Sequence, residues 1–325
     1  MTASFKEYFD TDFIRIRDFL SSSMSPEGGS TGPVRQPWNW MIDRWNFTST
    51  VSVAMHATTH DQWARRIGIW SGGRGGQVVG LVLTEGEGRG EAFIQSGPEE
   101  LPDAVLQEMF DFIEERYPEG GGPSASGGER PDFVCLRLDP RFPRREEMAR
   151  RRGFTRDDGT EKEAWLPASA APPACLPDGY RLVEAREISI SEKALLHARA
   201  FGYGGTWIEA AKRAFARLPL APDYRPELDL IAVDQSGAPV SMVGLWYDPA
   251  CAWGILEPAG TSRDHQRRGL CRALIGDGLK RLAAAAGAVG GRCDGRWVGS
   301  DQPFYLAVGF RVLNQWGVWR KEWRR

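Results

Sequence analysis

Short apolar runs and amphipathic stretches follow one another along the second half of the chain. Residues 228–233 and 240–246 are apolar runs of strand length, and the Asp-Gln-Ser-Gly turn between them indicates a hairpin. Residues 192–201 and 207–218 repeat their apolar positions with helical spacing. The other predicted elements are strands at 180–183, 251–256 and 288–293, helices at 269–286 and 303–308, and two closing strands between 311 and 323.

The first half repeats this order of elements. Its predicted elements are strands at 67–70, 77–83 and 92–95, a helix at 101–116, a strand at 133–138, a helix at 144–152 and a strand near 162–166. Both halves end their last helix with Gly-Phe, at 153–154 and at 309–310. The pattern therefore predicts a duplicated α/β fold of the α+β mixed-sheet kind, with a mostly antiparallel central sheet flanked by helices in each half.

Composition supports a division into two domains. The chain has 325 residues, which is long for a single core. Residues 167–178 (PASAAPPACLPD) are rich in Pro and Ala and have the character of an extended linker. We therefore expect one domain at 1–167, a linker at 168–178 and a second domain at 179–325. The Gly- and Ser-rich segment 118–131 predicts an exposed loop.

The charge balance and the length of the apolar runs limit the possible partners. The formal net charge is −2, so no general attraction to nucleic acid is indicated. The basic run 141–152 also contains acidic residues and predicts a solvated helix face. No apolar run approaches the roughly 18 residues that a membrane span needs, and residues 1–16 lack the apolar core of a signal peptide. We expect a protein that binds neither nucleic acid nor membrane.

Cysteine and histidine usage bears on metals and on the compartment. The five cysteines are scattered, odd in number and without CxxC spacing, and the four histidines form no HExxH pattern. These features argue against a disulfide framework and a metal site, and they favour a reducing cytoplasm.

The segment 266–271 (Gln-Arg-Arg-Gly-Leu-Cys) has the composition of an anion-binding loop. It follows a predicted strand and opens a helix whose Leu270, Leu274, Gly278 and Leu282 recur on one face. The first N–H groups of a helix are unpaired and its dipole favours negative charge. Gly269 allows close backbone approach, and Arg267 and Arg268 add positive charge.

Residues 266–273 resemble the acetyl-CoA pyrophosphate loop of the GNAT acetyltransferase superfamily, usually written Q/R-x-x-G-x-G/A. Cys271 stands where that pattern has its second Gly or Ala. The resemblance implies that both halves are GNAT-like, the first of them degenerate, and that acetyl-CoA is the cosubstrate, with no metal. The cofactor-binding residues it implies are Ala259 and Thr261 for the pantetheine arm and Gln266, Arg267, Arg268, Gly269, Leu270, Cys271 and Arg272 for the diphosphate.

Two residues are the expected catalytic groups. Tyr305 lies four residues before Gly309-Phe310, where the superfamily commonly has a tyrosine beside the thioester sulfur, and its phenol can protonate a departing thiolate. Glu257, at the end of the strand before the loop, is the expected base, with Asp248 a weaker rival. The position that matches Tyr305 in the first half is Ala149, and Glu99 and Glu100 occupy the place of its loop.

The expected activity is transfer of an acetyl group from acetyl-CoA to a primary amine, with a small molecule as the acceptor and a monomer or homodimer as the enzyme. A protein or peptide N-acetyltransferase and a non-catalytic acyl-CoA-binding module are the alternatives. Candidate contacts for the acceptor are the aromatic residues Tyr203, Trp207, Trp246, Tyr247 and Trp253.

Overall fold

The protein is described by a computed structural model that covers residues 3–22, 60–73, 75–84, 90–97, 99–118, 132–167, 170, 172–250, 252–291, 293 and 295–323. Within these ranges the chain forms two compact units. The first comprises residues up to 22, residues 60–162 and residues from 314 onward, and the second comprises residues 163–313. Most of the predicted loop 118–131 lies outside the described residues.

The first unit is a mixed sheet with helices. Its elements are β1 (Ala3–Glu7), α1 (Phe13–Ser22), α2 (His60–Ala64), β2 (Gly68–Gly72), β3 (Gln77–Leu83), β4 (Glu91–Ser96), α3 (Asp103–Arg116), β5 (Asp132–Leu138), α4 (Pro143–Arg151) and the beginning of β6 (Thr155–Pro167). Strands β1 to β4 pair in sequence as antiparallel neighbours, and β4 pairs with β5 in parallel. The elements β1, α1 and α2 have no counterpart among the predicted elements.

The second unit repeats this plan. Its elements are β7 (Arg181–Glu184), α5 (Ile190–Phe201), α6 (Gly205–Arg217), β8 (Asp229–Val233), β9 (Pro239–Asp248), β10 (Trp253–Thr261), α7 (Leu270–Ala288), β11 (Gly295–Val298), α8 (Pro303–Val308) and the beginning of β12 (Arg311–Trp323). Strands β7 to β10 are antiparallel neighbours, and β10 and β11 are parallel. The predicted α/β class and mostly antiparallel sheets are confirmed.

Each unit takes its next strand from the other half of the sequence. In the first unit, residues 317–323 of β12 pair with β5. In the second unit, residues 164–167 of β6 pair with β11. Leu166 is fully buried in the second unit's core, next to apolar residues of β8, β9 and α7. The domain boundaries at 167 and 179 remain a prediction. The two compact units are divided at other points of the sequence, after residue 162 and after residue 313.

Local sequence explains where the helices begin and end. Ser189 caps α5, since its hydroxyl accepts from Glu192 N at 3.2 Å while the Glu192 carboxylate accepts from Ser189 N at 2.8 Å. Gly202, in the left-handed region at φ 74°, ends this helix. On α7 the predicted inner face is confirmed: Leu270, Leu274, Gly278 and Leu282 are all buried.

Two predicted elements were wrong. The predicted strand at 288–293 is not formed by the described residues 288–291 and 293, because the Ala-rich helix α7 continues to Ala288 and the chain turns at Gly290, whose φ is 69°. The strand follows at Gly295–Val298. Residues 311–323 form one long strand and not two, because the second half of that strand continues along β5. Cys251, predicted to begin β10, lies outside the described residues.

Leu166→Ala should destabilise the second unit, although Leu166 belongs to the half of the sequence before the linker. Removing a fully buried leucine costs about 2–5 kcal/mol, so we expect a lower urea midpoint. The matched control is Leu220→Ala, at a leucine that is 69% exposed, which should change the free energy of unfolding by about 0.5 kcal/mol or less. Equal midpoints for the two variants would contradict the observed strand exchange.

Candidate functional site

Strand β10 contains a register break at the residue predicted to be the base. Leu256 pairs with Leu245 and Ala259 pairs with Val243, so Glu257 and Pro258 together oppose Gly244. A Cβ on Gly244 would lie 2.6 Å from the Glu257 carbonyl oxygen, which leaves room for glycine alone. The Trp246 indole donates to the same oxygen at 3.1 Å. The bulge is thus allowed by the absence of a side chain at Gly244 and stabilised by the hydrogen bond from the Trp246 indole.

Beyond the bulge, β10 continues past its parallel partner. The β10–β11 pairing covers Trp253 to Ile255, whereas β10 extends to Thr261. Ala259 and Thr261, the predicted pantetheine contacts, are half-buried on this extension. The Thr261 hydroxyl lies 2.8 Å from the hydroxyl of Ser241 on β9, which donates to the Gly260 carbonyl at 3.1 Å. The segment is therefore hydrogen-bonded to β9 along one edge. Along its other edge it extends beyond the residues that pair with β11.

The predicted phosphate loop turns directly into a long helix. Arg267 and Gly269 both have left-handed backbones, at φ 60° and 81°, and a Cβ on Gly269 would meet no atom within 4 Å. The first bond of α7 is donated by Ala273 N to Gly269 O at 3.0 Å. The N–H groups of Leu270, Cys271 and Arg272 precede this bond, and they are the groups that a helix offers to an anion.

The cationic side chains of the loop divide into two kinds. Arg268 braces the loop, because its guanidinium donates to the Tyr180 hydroxyl at 3.0 Å and to the Asp264 carbonyl at 3.1 Å. The Tyr180 hydroxyl in turn lies 3.0 Å from His265 Nδ1. Arg267 and Arg272 are exposed, as Arg268 is, and this bracing involves neither of them. Tyr180 is not among the predicted site residues, because nothing in its local sequence distinguishes it.

Gln266 and Cys271 also have structural partners. Gln266 donates from its side-chain amide to the Thr261 carbonyl at 3.2 Å, which ties the loop to the end of β10. Cys271 is 9% exposed and belongs to the second unit's core, and burial raises the pKa of its thiol to about 12. The thiol is therefore neutral at physiological pH and points into the core, so it leaves the backbone of the first helical turn accessible.

Tyr305 lies on the short helix α8, where it packs against the same core. Gly309, at φ 116°, ends this helix, and Phe310 N donates to the Tyr305 carbonyl at 3.0 Å. Burial raises the pKa of Tyr305 above its ordinary value, and the Glu257 carboxylate is the next cause. The two expected catalytic groups are thus brought within electrostatic range of each other, and Tyr305 is kept as a neutral phenol.

The other acid and most of the aromatic residues that the sequence suggested are not available to a ligand. Asp248 is fully buried and accepts from Ala250 N at 2.9 Å, so it closes the turn after β9. Trp246, Tyr247 and Trp253 are core residues, each at most 5% exposed. Tyr203 and Trp207 lie together at the connection between α5 and α6, with ring centroids 4.3 Å apart.

Solved structures with this arrangement match nearly the whole length of the chain. The chain is similar to a tandem GNAT protein from the clavulanic acid biosynthesis pathway, with a TM-score of 0.60 and 15% identity over 99% of this chain and 98% of that one. A GCN5-related N-acetyltransferase from Sphaerobacter thermophilus gives a TM-score of 0.54 and 13% identity, over 99% and 96%. The chain has the tandem GNAT fold. No protein-family model and no curated protein matches the sequence.

The first GNAT-like unit differs from the second at the end of its parallel strand. Arg145 of α4 is 1% exposed and donates to the Ile94 carbonyl at 2.8 Å, the Ser96 hydroxyl at 2.5 Å and the Glu100 carboxylate at 3.1 Å. The predicted solvated face of residues 141–152 is therefore wrong for Arg145. Glu100, expected to repel phosphates, is paired with this guanidinium, and α3 begins with Asp103 in its first turn. A guanidinium fills the strand end that is left accessible in the second unit.

Two features are absent from the residues that the structure describes. No three His, Cys, Asp or Glu side chains within them converge as a metal ion would require. None of the helices there combines the length and apolarity needed to cross a bilayer.

Gly244→Ala should disturb the bulge of the tandem GNAT fold's second unit. Because the added methyl group would meet backbone atoms at 2.6 Å, we expect a loss of about 1–3 kcal/mol in the free energy of unfolding, measured by urea denaturation. Gly287→Ala is the control, since a Cβ at this helical position meets nothing within 4 Å and should be neutral or stabilising. If Gly244→Ala is as stable as Gly287→Ala, the bulge does not depend on Gly244.

Proposed function

We propose that the second unit is an N-acetyltransferase that moves an acetyl group from acetyl-CoA to a primary amine of a small molecule. The observation that carries the proposal is one continuous segment. It runs from the extended end of β10 through left-handed Gly269 into α7, with Glu257 and Tyr305 within electrostatic range of each other beside it.

The diphosphate of acetyl-CoA would bind at the start of α7. The N–H groups of Leu270, Cys271 and Arg272 and the helix dipole suit two phosphate groups, and α7 extends over 19 residues. The exposed guanidinium groups of Arg267 and Arg272 add positive charge there, while Arg268 and Gln266 keep the loop in shape. The pantetheine arm would pair with backbone groups around Ala259 and Thr261.

The reaction then needs one base and one acid. The amine nitrogen attacks the thioester carbonyl carbon, and the Glu257 carboxylate accepts the proton that the amine loses, directly or through water. A backbone N–H of the β10 extension would stabilise the negative charge that develops on the carbonyl oxygen. The carbon–sulfur bond breaks, the Tyr305 phenol donates its proton to the sulfur, and the products are an amide and the CoA thiol.

The first unit supports a single site in each chain. Its strand end is filled by the buried Arg145 guanidinium, and its helix α3 begins without a loop of the second unit's kind. Ala149, the counterpart of Tyr305, has no group that can donate a proton. This unit therefore contributes architecture, and its last strand β6 continues into the second unit as far as Pro167.

Tyr305→Phe tests the assignment of the acid. We expect kcat in a thiol-release assay to fall by about 10²-fold, while acetyl-CoA binding is unchanged, because only the transferred proton is lost. The neutral phenol is the active form and its pKa is raised, so wild-type kcat should not decline as the pH rises through about 10 on account of Tyr305.

The control removes the same atom from another tyrosine of the second unit. Tyr224 donates to Asp229 at 2.9 Å, away from the loop, so Tyr224→Phe should keep kcat even if it loses stability. Binding of acetyl-CoA without turnover of any amine would contradict the enzymatic proposal and favour a non-catalytic acyl-CoA-binding module.

A further inference from the structure

A cluster of aromatic rings lies at the connection between α5 and α6. We call it the aromatic wall, and it consists of His197, Phe201, Tyr203, Trp207 and Phe215. The His197 ring is its centre, with centroid distances of 4.7 Å to Phe201, 5.6 Å to Tyr203, 5.5 Å to Trp207 and 5.6 Å to Phe215.

The buried side of the wall is rigidly held. Trp207 donates from its indole nitrogen to His197 Nδ1 at 2.9 Å, so the neutral imidazole carries its proton on Nε2. The ammonium group of Lys193 lies 4.6 Å from the Phe215 ring centroid and forms a buried ion pair with Asp229 of β8. His197, Trp207 and Phe215 are each at most 7% exposed. These contacts fix the wall against the sheet.

The other side of the wall is open to solvent. Phe201 is 41% exposed and Tyr203 is 43% exposed. Their rings are nearly parallel, with an interplanar angle of 15° and centroids 5.9 Å apart. Residues 200–208 of this connection carry no charged side chain. The accessible rings are therefore flat and uncharged, and the exposed charged residues Arg199 and Glu209 flank them in the sequence.

Gly260 connects the wall to the proposed acetyl-transfer site. A Cβ at Gly260 would lie 3.1 Å from Phe201 Cε2 and 3.0 Å from Ala200 Cβ, so helix α5 rests on the backbone of β10 at this position. Gly260 stands between Ala259 and Thr261, the positions proposed to hold the pantetheine arm. The Phe201 ring is thus in contact with the strand along which the acetyl group would be delivered.

We propose that the amine acceptor carries an aromatic ring, which stacks on Phe201 and Tyr203 while its amino group reaches the acetyl group. This inference rests on the proposed function. Aromatic side chains recognise flat aromatic groups through offset stacking, which adds to the free energy gained from burying their area. The acceptor class that fits is a small arylalkylamine.

The test compares three primary amines by calorimetric titration into the full-length protein saturated with CoA. 2-Phenylethylamine has the planar ring, 2-cyclohexylethylamine has a similar size without it, and glucosamine is polar. We expect 2-phenylethylamine to bind roughly 2- to 10-fold more tightly than its cyclohexyl analogue, the range that aromatic pairing gives, and more tightly still than glucosamine. kcat/KM should follow the same order.

Variants locate the effect on the wall. Tyr203→Ala should abolish the preference for the aromatic amine, whereas Tyr203→Phe, which keeps the ring, should retain it. Phe9→Ala is the control, since Phe9 is 60% exposed but belongs to the first unit, and it should change nothing. Acetyl-CoA affinity should be the same in all three variants.

The outcomes separate this inference from the proposed function. If acetyl-CoA binds but the three amines bind equally, or if Tyr203→Ala keeps the preference, the aromatic acceptor is overturned and the acetyltransferase proposal stands. If acetyl-CoA does not bind to the wild-type protein, the proposed function fails, and this inference fails with it.

Discussion

The register break in β10 is the constraint on which the second unit's site depends. The break exists because Gly244 has no side chain. The Glu257 carbonyl oxygen lies where a Cβ methyl group on Gly244 would need space. The same break presents Glu257 at the point where β10 leaves its parallel partner and directs the strand toward the loop before α7. A second glycine, Gly260, lets α5 rest on the strand just beyond it. Because Gly244 and Gly260 have no side chains, the Glu257 carboxylate, the extended end of β10 and the aromatic wall can lie along the same strand.

The exchange of strands makes each unit depend on both halves of the sequence. The core of the second unit includes Ala164 and Leu166 from β6, while residues of β12 pair with β5 in the first. The first half of the sequence is therefore needed for the core of the second unit. In the first unit, the buried Arg145 donates to the Ile94 carbonyl and the Ser96 hydroxyl, at a strand end that would otherwise contain orphaned polar groups.

Periodicity predicted most of the elements, because α3, α7 and the hairpin strands are long or strongly patterned. It could not predict strand exchange, since the apolar pattern around Leu166 fits either sheet and says nothing of its partner. Nor could it predict the buried Arg145, which lies among exposed arginines of the same helix, or the link from Arg268 through Tyr180 to His265 across 85 positions. The loop, the helix after it and Tyr305 could be recognised in the sequence because they are close along the chain. That they lie near Glu257 could not be predicted without the fold.

The most direct test of the account is calorimetric titration of acetyl-CoA into the wild-type protein and into the double variant Arg268→Glu, Gly269→Glu. The control is Gly153→Glu, which adds a negative charge at a left-handed glycine, φ 82°, in the first unit. The account predicts binding to the wild type and to the control, and loss of binding in the double variant. Equal binding to all three proteins would show that the β10–α7 loop is not the acetyl-CoA site.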